Sequence, residues 1–195
     1  MRNLEPLAVT LRGLRPGEPG WVVSPQGAVY AAEYGWDQRF EALVARIAAD
    51  FVDRFDPARE AAWVGEREGE LLGWVFVVQA RDEASGAAEP GAAQLRMLVV
   101  EAAARGQGVG KRLVGECHSF AVVAGYSRIR LWTNSLLVAA RGIYEREGYR
   151  MLSSHPHHSF GHDLVGEVWE KELPAANGLA SPPQSTEKTK RSRWL

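Results

Sequence analysis

The chain has little of what marks several large classes of protein. Its 195 residues contain one cysteine, Cys117, so no disulfide can form within the chain. The formal net charge is only −1, so we expect no overall attraction to nucleic acid or to an anionic membrane, and any anion site must be local. No signal-peptide pattern opens the sequence, and no apolar run approaches the roughly 18 residues that cross a bilayer. These absences predict a cytoplasmic protein.

What is present is the composition of a globular domain. Apolar residues make up 46% of the chain and charged residues 24%, and the length suits one packed core. We therefore expect a single domain over residues 1–174. From there the sequence turns to Ala, Ser, Pro, Lys and Thr, which predicts a disordered tail at 175–195 with a basic run at 188–193.

Hydrophobic spacing predicts a mixture of strands and helices. Residues 9–12 alternate like a short strand, whereas 21–35 are ambiguous and favour a short helix. After Asp37, a suitable N-cap, apolar residues recur at helical spacing as far as Phe55. Further along we expect a hairpin turning at 67–70, a loop at 81–91, a strand ending at Val100, a helix at 109–124, a strand at 128–134, a short helix at 139–147, and final strands at 149–152 and 168–173 with a histidine-rich connection between them.

A glycine-rich turn joins the strand that ends at Val100 to the helix that begins at Val109. Residues 105–110 read Arg-Gly-Gln-Gly-Val-Gly, and Lys111 follows on the first helical turn. A helix N-terminus offers unpaired N–H groups and a partial positive charge, and glycines let a backbone wrap around an anion. The turn therefore favours a phosphate-bearing ligand, with simple strand-to-helix packing as the equal alternative.

Two classes of nucleotide site do not fit this turn. A P-loop needs G-x-x-x-x-G-K-[ST], and the residue at the second glycine position is Lys111. A dinucleotide site needs G-x-G-x-x-G and an acidic residue after the next strand. That strand ends in Thr133 and Asn134, without a carboxylate.

The order of elements, together with two motifs, resembles the GNAT superfamily of N-acetyltransferases over residues 7–173. The family's [RQ]-x-x-G-x-[GA] is present at 105–110, and its A-x-x-[LI]-Y-x-x-x-G-[FY] is similar to residues 140–149, which include Tyr144. The resemblance implies an α/β (α+β) fold. In that fold a mixed, mostly antiparallel central sheet of about seven strands, with four helices, is splayed between the fourth and fifth strands.

The resemblance also implies acetyl-CoA as co-substrate. Backbone groups of Leu98, Val99 and Val100 would bind its pantetheine arm along a strand made accessible by a bulge. Asn134 would contact the cofactor through its amide, although a helix N-cap at Asn134 or Ser135 is an equal alternative. The asparagine that members often carry seven residues before the tyrosine is Leu137 here. The pyrophosphate would bind to the glycine turn, namely to Arg105, Gly106, Gln107, Gly108, Val109, Gly110 and Lys111.

Transfer of acetyl to an amine needs a general acid, a stabilised carbonyl oxygen and loss of a proton from the amine. By resemblance, Tyr144 is the general acid and the backbone N–H of Val100 polarises the carbonyl, with aromatic packing as the alternative role of Tyr144. Some members carry a glutamate base where this chain has Gln94. The other candidate bases, beside proton loss to water, are Glu33, Glu41, Glu101, His155, His157 and His158.

The histidine-rich connection does not have zinc-site spacing, so we expect no metal and instead a loop over the acceptor site. Residues 157–166 look like the GNAT module fused to MarR-type regulators, although no winged-helix segment precedes them here. Cys117 should lie in the core, and Tyr30, Tyr34 and Trp36 should line the acceptor pocket.

The expected function is acetylation of a small-molecule or protein amine, and a homodimer is common in the family. The alternatives are a non-catalytic acyl-CoA-binding regulatory module and an interaction domain that uses the basic tail.

Overall fold

The computed structural model describes residues 8–82 and 84–175, so the predicted tail, beyond Ala175, lies outside the described residues. Within those ranges the chain forms seven strands, five α-helices and a 3-10 helix at Ala102–Ala104. In chain order they are β1 (Thr10–Gly13), α1 (Glu18–Trp21), α2 (Val23–Tyr34), α3 (Gln38–Arg54), β2 (Ala61–Arg67), β3 (Glu70–Arg81), β4 (Ala88–Val100), α4 (Val109–Val123), β5 (Arg128–Asn134), α5 (Val138–Arg146), β6 (Arg150–Ser159) and β7 (His162–Glu172).

The ambiguous segment before Asp37 is helical. It forms the single turn α1 and then α2, which ends at Gly35 in the left-handed conformation with φ 69°. Helix α3 begins as expected, because Asp37 Oδ1 accepts a hydrogen bond from the Arg39 N–H at 2.9 Å. It buries Phe40, Val44, Ala48 and Phe51 along one face.

The seven strands form one sheet in the order β1-β2-β3-β4-β5-β7-β6, and β4 with β5 is the only parallel pair among the strands described. Pairing between them runs from Ala92↔Arg128 to Leu95↔Leu131 and then stops, although both strands continue. The second halves of β4 and β5 therefore diverge. This confirms the mixed, mostly antiparallel sheet with a splay between its fourth and fifth strands.

A β-bulge in β4 opens the splay and changes which face each residue occupies. The register shifts where Trp74 pairs with Val99 but Phe76 pairs with Arg96, and Met97 adopts a positive φ of 57°. Leu95 belongs to the core under α4 and α5, whereas Met97 belongs to the core under α2 and α3. The bulge therefore turns Leu98 and Val100 toward the α4 and α5 side, where they pack on that core.

Two segments that were predicted as loops are partly or largely strand in the structure. The segment predicted as a loop at 81–91 already belongs to β4 from Ala88 onward, where Glu89 binds Arg130 of β5 at 2.8 Å. The histidine-rich connection is also extended, because β6 and β7 form a long hairpin through the pair Ser159↔His162. The prediction of a loop over the acceptor site was therefore wrong in its secondary structure.

Helix α4 carries two side chains, in or beside its core, whose ionisation is changed by burial. Cys117 is fully buried, as expected, and burial raises the pKa of its thiol. The neighbouring His118 lies with a ring nitrogen 3.0 Å from the Tyr149 hydroxyl, and burial lowers the pKa of this imidazole to about 4. The histidine is therefore neutral at physiological pH.

Across residues 8–82 and 84–175, no helix combines the length and the apolar character that crossing a bilayer demands.

Candidate active site

The splay between β4 and β5 opens into a cavity of about 680 Å³. Its walls come from α2, from the end of β4, from the glycine turn with the start of α4, and from α5. The predicted cofactor residues on these walls are Leu98, Val99, Val100, Arg105, Gly106, Gly108, Val109, Gly110 and Lys111.

The glycine turn has the conformation that its sequence predicts. Gly106 has φ 75° and Gly108, the N-cap of α4, has φ 78°, both in the left-handed region that side chains with a Cβ avoid. The first N–H groups of α4 have no partner within the helix, because a helix leaves its first turn unpaired. Together with Lys111 they give this end of the cavity a positive potential.

Gly110 lets α4 approach α5 and β4 closely at the same place. A Cβ on Gly110 would lie 2.9 Å from Ile143 Cδ1 and 3.3 Å from Val100 Cγ2. The third glycine therefore has a packing role, whereas Gly106 and Gly108 shape the turn.

Gln107 is not on the cavity wall, unlike the other predicted residues of the turn. Its amide Nε2 donates to Ala103 O at 2.8 Å, and its Oε1 accepts from Arg67 at 3.1 Å. The side chain therefore secures the outside of the turn.

The backbone of Val100 faces the gap between the strands. The Glu101 N–H donates to Leu72 O of β3, and successive N–H groups of a strand point in opposite directions. The Val100 N–H is therefore directed away from β3, toward the cavity. Its carbonyl accepts a hydrogen bond from Arg105 Nε at 3.2 Å.

An ion pair joins the glycine turn to α2 across this cavity. Arg105 lies 2.7 Å from Glu33 Oε1, and the hydrogen bond to Glu33 raises the pKa of the guanidinium. The side chains are 43% and 32% exposed, so water and salt screen the pair. Arg105, which was predicted to bind phosphate, is therefore paired in this structure with Glu33, a candidate general base.

A smaller cavity of about 270 Å³ adjoins the first, and Tyr30, Leu98, Leu137 and Ala140 line both. Its apolar wall comes mainly from α2 and α3. Among the described residues, Arg96 is the only charged one on its wall. The remaining residues of the wall are Gln26, Trp36, Phe40, Leu43, Val44, Ile47, Gln94, Leu95, Met97, Trp132, Thr133, Asn134 and Tyr144.

Tyr144 lines the smaller cavity, one helical turn after the shared Ala140. The residue is 4% exposed, and burial raises the pKa of its hydroxyl well above the usual value, with smaller contributions from Tyr30 and Cys117. The hydroxyl therefore keeps its proton throughout the physiological range, as a general acid must.

Asn134 lies at the end of β5 and lines the smaller cavity rather than the larger one. Its Oδ1 is 3.0 Å from His157 Nε2, and His157 Nδ1 is 2.9 Å from Ser159 Oγ. The N-cap of α5 is Leu137, without a side-chain cap bond, so the alternative N-cap role of Asn134 or Ser135 was wrong.

The candidate bases are mostly outside the two cavities. Glu33 alone among them lines a cavity wall, and it is the larger one. His158 pairs with Asp163 at 2.7 Å on the surface, and His157 lies behind Asn134. Gln94, at the position of the glutamate in some members, lines the smaller cavity but cannot take a proton. The described residues contain no group of three or more His, Cys, Asp or Glu that could hold a metal.

Only some of the residues that line the smaller cavity were predicted from the sequence. Tyr30 and Trp36 line it as expected, whereas Tyr34 lines the larger cavity. Gln26 and Arg96 were missed, because no motif includes either residue and only the fold brings α2 and β4 together.

Comparison with known proteins finds similarity to acetyltransferases. Residues 58–151 match the family model of the acetyltransferase (GNAT) domain. The chain is 33% identical over 96 residues to N-acetylaspartate synthetase of Xenopus tropicalis, covering 49% of this chain and 33% of that protein. It is 30% identical over 136 residues to N-acetyltransferase family 8 member 2 of Rattus norvegicus, covering 64% of this chain and 58% of that protein. The chain therefore spans about a third to three fifths of these relatives.

Solved structures share the fold at lower identity. The yncA protein of Salmonella typhimurium, determined with its cofactor acetyl-CoA, superposes with TM-score 0.69 at 16% identity, over 90% of this chain and 98% of that chain. Ribosomal-protein-alanine N-acetyltransferase of Brucella melitensis gives 0.65 at 16% identity, over 84% and 99%.

The splayed sheet, with its glycine turn at a helix N-terminus, is the fold that this chain shares with these acetyltransferase structures. Within this chain, residues 58–151 are the part that matches the acetyltransferase (GNAT) domain.

Proposed function

We propose that the protein transfers the acetyl group of acetyl-CoA to a primary amine by direct attack in a ternary complex. One observation carries this proposal: the diverging end of β4 and the glycine turn line one cavity, which adjoins a second cavity that contains Tyr144. Two adjoining cavities can hold donor and acceptor together, and such positioning supplies much of the rate of a two-substrate reaction.

The larger cavity has the chemistry that acetyl-CoA requires. Left-handed Gly106 and Gly108, the first turn of α4 and Lys111 favour a pyrophosphate at one end. The gap beside Leu98 and Val100 offers backbone groups to the pantetheine amides in the manner of an added strand. Arg105 would exchange Glu33, its partner in this structure, for phosphate oxygens.

Two groups of this chain would act on the reacting atoms. The Val100 N–H, directed into the gap, would donate to the thioester oxygen as charge develops there. The Tyr144 hydroxyl would donate a proton to the departing thiolate, because burial keeps this hydroxyl protonated.

The amine would lose its proton to water rather than to a protein base. No carboxylate or imidazole is on the wall of the smaller cavity within the described residues, and Gln94 is not basic. The described wall offers no carboxylate to an ammonium ion, so the acceptor would enter as the free amine.

The acceptor would be a small molecule or a protein amino group. Among relatives, N-acetylaspartate synthetase is named for an acetylated amino acid, and the Brucella melitensis protein for a ribosomal-protein alanine. Both names describe amines of amino acids, which makes such amines the first to test.

Isothermal titration calorimetry with acetyl-CoA, followed by thiol release over a panel of amines, tests the proposal. Direct attack predicts initial-rate lines that intersect when both substrates are varied, whereas an acetyl-enzyme intermediate would give parallel lines. Failure of acetyl-CoA to bind would contradict the proposal outright.

A second function is favoured by the missing base. A regulatory module that binds acyl-CoA without turnover needs the larger cavity but no proton acceptor in the smaller one. Tight acetyl-CoA binding with no thiol release over the whole amine panel would support this reading over the first.

A further inference from the structure

We propose that the acceptor is a small monoamine that also carries a carboxylate, such as an α-amino acid with an apolar side chain. This inference rests on the proposed function and extends it to the substrate class. It depends on how two buried amide side chains are held at the wall of the smaller cavity.

Gln26 presents hydrogen-bond donors to this cavity. Its Oε1 accepts from Trp74 Nε1 at 3.2 Å, and an indole nitrogen can only donate, so the amide oxygen must face Trp74. The residue is 5% exposed and lines the cavity, and no described residue accepts a hydrogen bond from its Nε2. The NH2 group is therefore left for the contents of the cavity.

Asn134 is oriented in the same way as Gln26, with its amide oxygen bonded to a residue behind the wall, here His157. Asn134 Oδ1 lies 3.0 Å from His157 Nε2, and because an amide oxygen can only accept, Nε2 is the donor. His157 Nδ1 pairs with the Ser159 hydroxyl at 2.9 Å. Asn134 is 1% exposed, and no described residue accepts from its Nδ2.

The polar part of the wall is therefore rich in donors. Both amides offer NH2 groups, and neither aspartate nor glutamate is on the wall within the described part of the chain. Amide donors that face a cavity without an acceptor among the described residues favour a ligand that supplies acceptors, and a carboxylate offers two oxygens to such a pair.

The remainder of the cavity limits the rest of the acceptor. Phe40, Leu43, Val44 and Ile47 make an apolar wall, and about 270 Å³ admits a small side chain. A second ammonium group, as in a polyamine, would face this wall without a counter-ion among the described residues. The cavity therefore fits an amino acid better than a diamine.

The experiment compares acceptors that differ only in the carboxylate, leucine against 3-methylbutylamine, at equal concentrations of free amine. Acceptor binding to the full chain saturated with coenzyme A is measured by calorimetry, and kcat/KM is measured by thiol release. We expect at least a tenfold preference for leucine in both measurements. Equal or stronger binding of the decarboxylated amine would overturn the proposal. The calorimetric arm decides it even if no acceptor turns over, which would count against the proposed function alone.

Variants test the positioning role of His157. We expect His157→Leu to reduce the leucine preference at least threefold without changing the Kd of acetyl-CoA. In His157→Gln an amide N–H can replace Nε2, so the preference should return. His158→Gln, on the exposed neighbour that pairs with Asp163, is the matched control and should change neither quantity. If His157→Leu retains the full preference, the amide oxygen of Asn134 faces the cavity and the assigned donor set is wrong.

Discussion

The two cavities are built by opposite means. In the larger one the binding groups are mainly backbone, set by left-handed glycines, a helix N-terminus and a strand released from its neighbour. In the smaller one they are side chains from α2, α3, β4, β5 and α5, and its polar atoms are oriented by partners behind the wall. A backbone site tolerates change in side chains but not in φ, whereas a side-chain site behaves the other way. Substitutions should therefore affect the two cavities in different ways.

The largest effect should come from Tyr144→Phe, which removes one hydroxyl from the smaller cavity. We expect kcat to fall about a hundredfold, the usual scale for loss of a general acid, with an unchanged Kd for acetyl-CoA. Steady-state kinetics and calorimetry measure the two quantities. Unchanged turnover would mean that Tyr144 only packs against Tyr149, whose ring centre is 5.6 Å away.

The pH profile of the unaltered enzyme should lack an alkaline decline. Because burial raises the pKa of Tyr144 above its usual value, the hydroxyl still holds its proton at pH 10. The rate at low acceptor concentration should therefore rise with pH as the amine loses its proton and then level off. A decline with an apparent pKa near 8 or 9 would assign proton donation to another group.

Neutralising the two paired charges on the larger cavity, Arg105 and Glu33, should change the affinity for acetyl-CoA in opposite directions. Arg105→Gln should weaken acetyl-CoA binding about five- to tenfold, because one cation leaves the phosphate end. Glu33→Gln should tighten binding about two- to fivefold at low salt, because the competing carboxylate is gone.

Arg112→Gln is the matched control for these charges. This arginine follows the same turn, but its guanidinium donates to Val9 O and is not on the cavity wall. Weaker binding in Glu33→Gln would indicate that the ion pair positions Arg105 rather than competing for it.

A smaller effect should follow from Gly108→Ala. The substitution meets no atom within 4 Å, so its cost is the left-handed conformation alone, about 1 kcal/mol. We expect a severalfold weaker Kd for acetyl-CoA and a lower melting temperature. Gly115→Ala, inside α4 with no positive φ and open space around it, should instead raise the melting temperature.

The smallest effect on either cavity should come from His118→Gln, because His118 lies on neither wall. Its pKa is about 4 in the folded protein against an ordinary value of 6.5, so the unfolded chain binds more protons between these pH values. Folding stability should therefore fall between about pH 6.5 and 4, by at most roughly 2 to 3 kcal/mol, and the variant should lose that slope. Denaturant unfolding at several pH values measures it, and an identical slope in the variant would contradict the burial argument.

The same contrast explains what could be predicted from the sequence. The glycine turn follows from a local pattern, because neighbouring residues set the conformation of a turn, whereas the splayed sheet and the place of Tyr144 were implied by the family resemblance. Gln26 and Arg96 join the smaller cavity only through tertiary packing, which leaves no mark on local spacing. The β6–β7 hairpin was missed because its histidines and Pro156 are poor strand signals, yet β6 is an edge strand, where proline is tolerated.

The bulge at Met97 divides β4 into two parts in which odd-numbered residues face opposite sides of the sheet. Before it, odd-numbered residues such as Leu95 face α4 and α5, and after it the odd-numbered Val99 faces α2 and α3. Deleting Met97 would restore a simple alternation in which Leu98 and Val100 keep their face, but the bulge itself would be lost. Such a deletion would leave the glycine motif intact while removing the irregularity at which β4 leaves β5. The exact length of this strand therefore matters as much as the identity of its residues.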